Sequence, residues 1–279
     1  MTLADVEASF EVQWAALSEL DVRLGHITPE QTEAIRDRGI GRVAHLLATD
    51  PAGAWVASGD DGAVVGCALA FVREGMWFLS LLMVRPGLQG KGFGRELLDR
   101  TLETSTDRSW ILATSDPAAL RRYQRAGFEL HATYTAKGVP SALEAPVGVT
   151  EGDYDRHADL VDDVARHVRG AGLSEDLPWL QGRPVPFVVV DDSAGRGFAF
   201  TRPGGLVTLG ATTEHAARRL LTETLRANDG EIEVDWLSAD QQWAIDVCLD
   251  ARLSLIGGAT VCLRGQPRMS PYLPSGAIG

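Results

Sequence analysis

Lysine is nearly missing from this 279-residue chain, occurring only at Lys91 and Lys137, so arginine supplies almost all the positive charge. Acidic residues outnumber basic ones by 38 to 26, which leaves a formal net charge of −12. A nucleic-acid partner wants a basic face, so the balance argues against that class. Solubility alone accounts for an acidic surface, although such a surface also attracts cationic amines. Cysteine is scarce and odd in number, at Cys67, Cys248 and Cys262. With no Cys-x-x-Cys pair and no His/Cys cluster, neither a disulfide framework nor a metal site is expected. No stretch reaches the ~18 apolar residues that cross a bilayer. Residues 1–7 show no basic region leading into an apolar core, so no secretory leader is expected and the cytoplasm is the default compartment. What remains is an ordinary globular composition, 45% hydrophobic and 23% charged. The length allows one large domain or two modest ones, each able to bury a core.

The most informative stretch runs over residues 79–98. Apolar residues from Leu79 to Val84 read as a buried strand, ended by Pro86, which cannot donate to a sheet ladder. Gly90, Gly92 and Gly94 then alternate with Lys91 and Phe93, and Leu97, Leu98 and Leu102 follow at helical spacing. A helix that opens on glycines aims its first unpaired N–H groups outward, with the positive end of the dipole behind them. That arrangement favours phosphate oxygens. The spacing is not that of a nucleotide P-loop, nor does it carry the x-x gap of a dinucleotide fingerprint.

The run Gln89-Gly90-Lys91-Gly92-Phe93-Gly94 instead resembles the Gln/Arg-x-x-Gly-x-Gly/Ala signature of the GCN5-related N-acetyltransferases, the GNAT family. A second segment, residues 116–128, resembles that family's closing strand–helix–strand with its Tyr-x-x-x-Gly-Phe ending, here Tyr123, Gly127 and Phe128. Asp116 is a plausible N-cap and Pro117 a first helical residue. The resemblance covers residues 40–135 well. It implies a mixed α/β (α+β) fold with a largely antiparallel sheet flanked by helices. It implies acetyl-CoA as co-substrate, and direct transfer of the acetyl group to a primary amine of a small molecule. By the same resemblance, Gln89, Gly90, Lys91, Gly92, Phe93, Gly94 and Arg95 would hold the pyrophosphate. Leu82, Met83 and Val84 would offer backbone groups to the pantetheine arm where their strand splays from its neighbour, and Asp116 would lie among the cofactor contacts. Tyr123 would protonate the departing thiolate.

The general base is not located by this pattern. Relatives carry an acid on one of two central strands, and the matching places here are Phe78 and Ile111. Glu74 and His131 are the remaining candidates, while His45, His157, His167 and His215 read as surface or core residues. A water relay to backbone carbonyls would serve a less basic amine. Two rival readings are a non-catalytic acyl-CoA-binding or regulatory protein, and a purely structural two-lobe protein without CoA binding.

In chain order, residues 3–24 read as helix, with Val6, Phe10, Trp14, Leu17 and Leu20 on one face. Residues 28–31 look like a capping-box start for a second helix. In the family these first two helices line the acceptor pocket. A small cysteine-containing amine, an antibiotic and a polyamine all remain open as acceptors, and nothing indicates an oligomeric state. Residues 54–58, 64–72 and 76–84 form a meander. The first lobe is expected to span residues 1–140, with a linker around residues 137–146.

The second half, residues 146–279, echoes the first. Leu220-Leu221-Thr222-Glu223-Thr224-Leu225 repeats Leu97-Leu98-Asp99-Arg100-Thr101-Leu102, and at that register Cys248 replaces Tyr123, Arg252 replaces Gly127 and Leu253 replaces Phe128. Between its strand and helix lies only Gly210-Ala211-Thr212-Thr213-Glu214-His215, without Gly-x-Gly. The expected second lobe is therefore a degenerate, cofactor-free copy.

Overall fold

A computed structural model describes residues 1–24, 30–141, 143–182 and 185–279. Contacts divide the chain into two units, Met1–Ile111 and Leu112–Gly279. The architecture is mixed α/β, with largely antiparallel sheet flanked by helices. No helix among the described residues is long and apolar enough to cross a membrane.

The first unit opens with α1 (Val6–Leu24) and α2 (Glu33–Thr49). Val6, Phe10, Ala16 and Leu20 bury one face of α1, as the helical spacing predicts. The capping box expected at residues 28–31 begins outside the described residues. The cap itself is Thr32, whose hydroxyl accepts from the Ile35 N–H at 3.3 Å. Strands β1 (Ala54–Ser58), β2 (Val64–Arg73) and β3 (Met76–Val84) form an antiparallel meander. Next come α3 (Phe93–Leu102) and β4 (Arg108–Ala113), the latter parallel to β3. Helices α1, α2 and α3 all pack on β2. That coverage explains why β2 reads as a nearly unbroken apolar run rather than an alternating one. The Arg73 guanidinium, itself buried, meets the Asp50 carboxylate at 2.7 Å, and the Val72 N–H donates to the other Asp50 oxygen at 3.0 Å. This ties the end of α2 to the end of β2.

The second unit contains α4 (Pro117–Arg125), β5 (Glu129–Gly138), β6 (Thr150–Glu151), α5 (Tyr154–Arg169) and α6 (Leu177–Gln181). It continues with β7 (Phe187–Asp192), β8 (Gly195–Arg202), β9 (Gly205–Ala211) and α7 (Glu214–Arg226). It closes with β10 (Ile232–Leu237), α8 (Gln242–Asp250), β11 (Ser254–Arg264) and β12 (Tyr272–Leu273). The strand order is β11-β5-β10-β9-β8-β7-β6, with β12 added to β9. Leu220, Leu221, Leu225, Trp243 and Cys248 form one core with β9 and β10 residues, while Phe187, Phe198 and Phe200 centre a second beneath α5.

From α5 to β11 the chain repeats the order of α1 to β5: two helices, a three-strand meander, a helix, a parallel strand, a helix and a last strand. The ends of α4 and α8 match in detail. The Phe128 N–H donates to the Tyr123 carbonyl at 3.1 Å, and the Leu253 N–H to the Cys248 carbonyl at 3.0 Å. Gly127 and Arg252 occupy the left-handed position between them, at φ 88° and 67°. This is the closure of a helix by a left-handed residue followed by a bond back to the last turn. By sequence α4 and β5 end the first copy; by packing they group with the second unit, because β5 lies between β10 and β11. Lys137 and Gly138, read as the start of a linker, continue β5. The Lys137 ammonium meets the Glu233 and Glu231 carboxylates at 2.7 and 3.0 Å.

Candidate active site

Eight residues separate the end of β3 at Val84 from the start of α3 at Phe93. Gly87, Gly90 and Gly92 in this connection have φ of 77°, 80° and 100°, a region that side-chain-bearing residues avoid. A Cβ built on any of them would meet no atom within 4 Å. Gly92 is the N-cap of α3 and has no side chain to offer. Arg95 and Glu96 bond back to the Gly92 carbonyl at 2.9 and 3.1 Å, whereas the N–H groups of Phe93 and Gly94 have no partner among the described residues. Lys91 and Arg95 are exposed beside them and form no ion pair among the described residues. Open space, free donors and two unpaired cations surround a helix N-terminus. That combination suits a pyrophosphate. Gln89, exposed, is held across the surface instead, donating to the Glu19 carboxylate of α1 at 3.3 Å and to the Val84 carbonyl at 3.4 Å.

Strand β3 changes character along its length. Its first residues are buried between β2 and β4, but the ladder with β4 ends at Leu79 opposite Ile111. The ladder with β2 continues to Val84 opposite Gly66, so residues 80–84 keep one neighbour and leave the other edge open. Leu82, Met83 and Val84 are half-buried there. Within the ladder with β2 the register slips, pairing Leu81 with Leu69 and Leu79 with Ala70, so Ser80 stands opposite no residue. Such bulges re-aim backbone groups and cluster beside active sites. Sequence periodicity did not reveal this one, because Leu, Ser and Leu alternate as they would in a regular strand.

In the second unit, Tyr123 sits on α4, 5% exposed. Its hydroxyl makes no hydrogen bond among the described residues. Burial pushes the phenol above its usual range, with Cys262 and Asp116 adding to the shift and Arg122 opposing it. Asp116 is the N-cap of α4, its carboxylate accepting from the Ala118 N–H at 3.1 Å, and Pro117 opens the helix.

Neither strand position where an acid was sought can act as a base. Phe78 and Ile111 are fully buried hydrocarbon, and Phe78 packs on Trp110 with ring centroids 4.8 Å apart. Glu74 lies in the turn before β3, a strand length of about 30 Å from the glycine loop at its other end. His131 on β5 stands 3.6 Å from the Glu129 carboxylate. Among the described residues no group of three or more His, Cys, Asp or Glu could hold a metal.

The corresponding connection in the second copy is closed. Only Thr212 and Thr213 lie between β9 and α7. The Thr213 hydroxyl accepts from the Ala216 N–H at 3.2 Å and donates to the Ala194 carbonyl at 2.9 Å. Glu214 adds a negative charge to the first turn. Cys248, at the position of Tyr123, is buried, and desolvation pushes its thiol up to about 12.

The model of the acetyltransferase (GNAT) family matches residues 14–128. No curated protein matches the chain in sequence. Among solved structures, a provisionally assigned acetyltransferase from Pyrococcus horikoshii superposes with a TM-score of 0.75 at 18% identity, covering 100% of this chain and 94% of that one. A GCN5-related N-acetyltransferase from Sphaerobacter thermophilus gives 0.56 at 17% identity, covering 96% and 95%. A tandem GNAT protein from the clavulanic acid biosynthesis pathway gives 0.57 at 16% identity, covering 94% and 96%. At these identities the likeness is one of fold.

Proposed function

Because the chain carries an acetyltransferase (GNAT) domain over residues 14–128 and the GNAT fold along its length, we propose that it is an acetyl-CoA-dependent N-acetyltransferase acting on a small primary amine. The observation that carries the reading is the uncapped entry to α3: three left-handed glycines with open space at each Cβ position, above N–H groups without partners. Residues 90–95 hold the pyrophosphate through these donors, with Lys91 and Arg95 supplying charge. The free edge of β3 at Leu82, Met83 and Val84 takes the pantetheine amides as a further strand would, and a backbone N–H there polarises the acetyl oxygen. Tyr123 gives its proton to the departing thiolate; its burial keeps that proton in place at neutral pH. With hydrocarbon at Phe78 and Ile111, water must carry away the proton of the attacking amine. The first copy, residues 1–140, is the catalytic one, and the second, residues 146–279, has a capped helix entry and Cys248 in place of the Tyr123 phenol.

Calorimetry with CoA, followed by acetyl-CoA turnover on a broad panel of amines read as free thiol, tests the proposal. The expected result is one CoA per chain and amine-dependent thiol release. No CoA binding, or two sites per chain, overturns it. CoA binding without turnover on any amine would instead favour a non-catalytic acyl-CoA-binding protein.

A further inference from the structure

Both copies of the repeat carry a bulge, and it falls at the same position. In the second copy Phe200 pairs with Thr208 and Thr201 with Leu206, so Val207 stands opposite no residue, as Ser80 does in the first. Each unmatched residue lies equally far from the end of its strand, at Val84 or Ala211, so Leu82, Met83 and Val84 correspond to Leu209, Gly210 and Ala211. The bulge is therefore a property of the fold. The edge beyond it differs between the copies. In the second, the Ala211 N–H donates to the Pro271 carbonyl at 3.2 Å, and Tyr272 and Leu273 pair with Gly210 and Leu209. In the first, no strand among the described residues pairs with residues 80–84 on that side.

At the first copy's bulge a cation takes the backbone carbonyl. Arg42 of α2, half-buried, donates from Nη2 to the Ser80 carbonyl at 2.9 Å. Among the described residues it forms no ion pair, and no side chain donates to the Val207 carbonyl at the second copy's bulge. Desolvation lowers the guanidinium only to about 10, so it is charged at neutral pH. The ladder shows which groups stand beyond it. The Arg85 N–H donates to the Val65 carbonyl at 2.8 Å, so Arg85 faces β2, and by the alternation of an antiparallel pair Met83 and Leu81 face it too. Leu82 and Val84 face the open edge, where the Gln89 side chain reaches the Val84 carbonyl at 3.4 Å. The Leu82 N–H is therefore the first donor on that edge past the Ser80 carbonyl, about 7 Å along the strand.

We propose that Arg42 is a positioning residue for acetyl transfer: it holds the Ser80 carbonyl, ends the ladder with β4 at Leu79, and keeps the Leu82 N–H turned to the thioester oxygen. This rests on the acetyltransferase reading. The second copy forms the same bulge with no guanidinium on its carbonyl, so the fold does not require one there. The cation belongs to the copy that has the glycine loop and the phenol. By occupying the acceptor beside the open edge, it leaves the Leu82 N–H as the donor that an incoming carbonyl meets. Its charge also stands near the oxygen that becomes negative as the amine attacks, where a fixed positive group favours the transition state over the ground state.

The test uses the full chain and acetyl-CoA carrying carbon-13 at the thioester carbonyl. Isotope-edited infrared spectroscopy reads the stretch of the bound carbonyl, and calorimetry reads CoA affinity; neither needs a known acceptor. The expected result is a stretch below that of free acetyl-CoA in the wild type. In Arg42→Met it should return toward the free value with CoA affinity within about twofold, and kcat on any accepted amine should fall about tenfold to a hundredfold. Arg42→Lys keeps the charge on a shorter donor and should retain part of both. Circular dichroism checks the fold, since a purely structural role would lower stability without moving the stretch. Should Arg42→Met not fold, Arg42→Lys decides alone, and a stretch equal to the wild type's overturns the proposal. No shift in the wild type, or the same shift in Arg42→Met, also overturns it while leaving CoA binding in place. Failure of the wild type to bind CoA removes the acetyltransferase reading, and this inference with it.

Discussion

Gly92→Ala separates the folding role of the glycine loop from its binding role. Gly92 caps α3 at φ 100° and ψ −24°, a conformation that an alanine reaches only under strain. That strain costs about 1–2 kcal/mol. No collision adds to it, because the new methyl would meet nothing within 4 Å. The expected loss of stability is therefore about 1–2 kcal/mol in a urea titration, which a domain of ordinary stability survives. Binding should suffer more. The space the methyl enters adjoins the unpartnered N–H groups of Phe93 and Gly94, which a phosphate oxygen must approach to about 2.9 Å. Losing two charge-assisted hydrogen bonds, each worth about 1.5–3 kcal/mol, weakens CoA at least ~100-fold. Gly87→Ala is the control: its φ of 77° imposes similar strain, its Cβ also meets nothing, and it lies outside residues 89–95. Calorimetry should give near wild-type CoA affinity for Gly87→Ala and a large loss for Gly92→Ala. A folded Gly92→Ala protein with a Kd within twofold of wild type would refute the reasoning, as would equal losses in both variants.

Three further outcomes are expected. Tyr123→Phe keeps the buried ring and removes only the acid, so kcat should fall about 100-fold while CoA affinity holds; a rate within twofold, with chemistry rate-limiting, retires that role. Arg252→Gly relieves a left-handed residue at φ 67° and should raise stability by about 1 kcal/mol in urea titration; a loss of stability would show that the Arg252 side chain contributes more than the strain costs. A fragment of residues 1–145 removes both ladder partners of β5, so it should elute as aggregate in size-exclusion chromatography; a soluble, fully active fragment would show that β5 does not need β10 and β11.

The elements with strong periodic or punctuating signals were legible in the sequence. Pro86 and the glycines marked the passage from β3 to α3, Asp116-Pro117 marked the start of α4, and β10 occupies the residues expected of it, Ile232–Leu237. The match of Arg252 with Gly127 also came from sequence alone and is reproduced by backbone angle and hydrogen bond. Other features were hidden because they depend on tertiary pairing. Strand β5 reads as the end of the first copy, and nothing in residues 129–138 announces that its ladder partners lie about 100 residues further on. The bulge at Ser80 is invisible because slipping one residue leaves the composition of the strand unchanged. Arg42 sits in a run that reads simply as amphipathic helix, and only the fold shows that its guanidinium donates to the Ser80 carbonyl at the β3 bulge.

The two copies isolate what a phosphate site requires beyond the fold. Both enter their helix from the third strand of a meander, and both follow it with a strand parallel to that third strand. The difference lies in how the first helical N–H groups are satisfied. In α7 a threonine hydroxyl takes one of them, the connection is too short to leave left-handed turns, and Glu214 stands where an anion would come. In α3 a glycine stands at the cap, so its donors must be met from outside the chain. An N-cap hydroxyl is worth about 1 kcal/mol to a helix, so the first copy forgoes that stabilisation in keeping its entry open. Opening α7 would take more than Thr213→Gly. The variant frees the Ala216 N–H, yet it adds neither the missing residues of the loop nor a cation, and Glu214 remains. It should bind no CoA, and its expected effect is a small loss of stability.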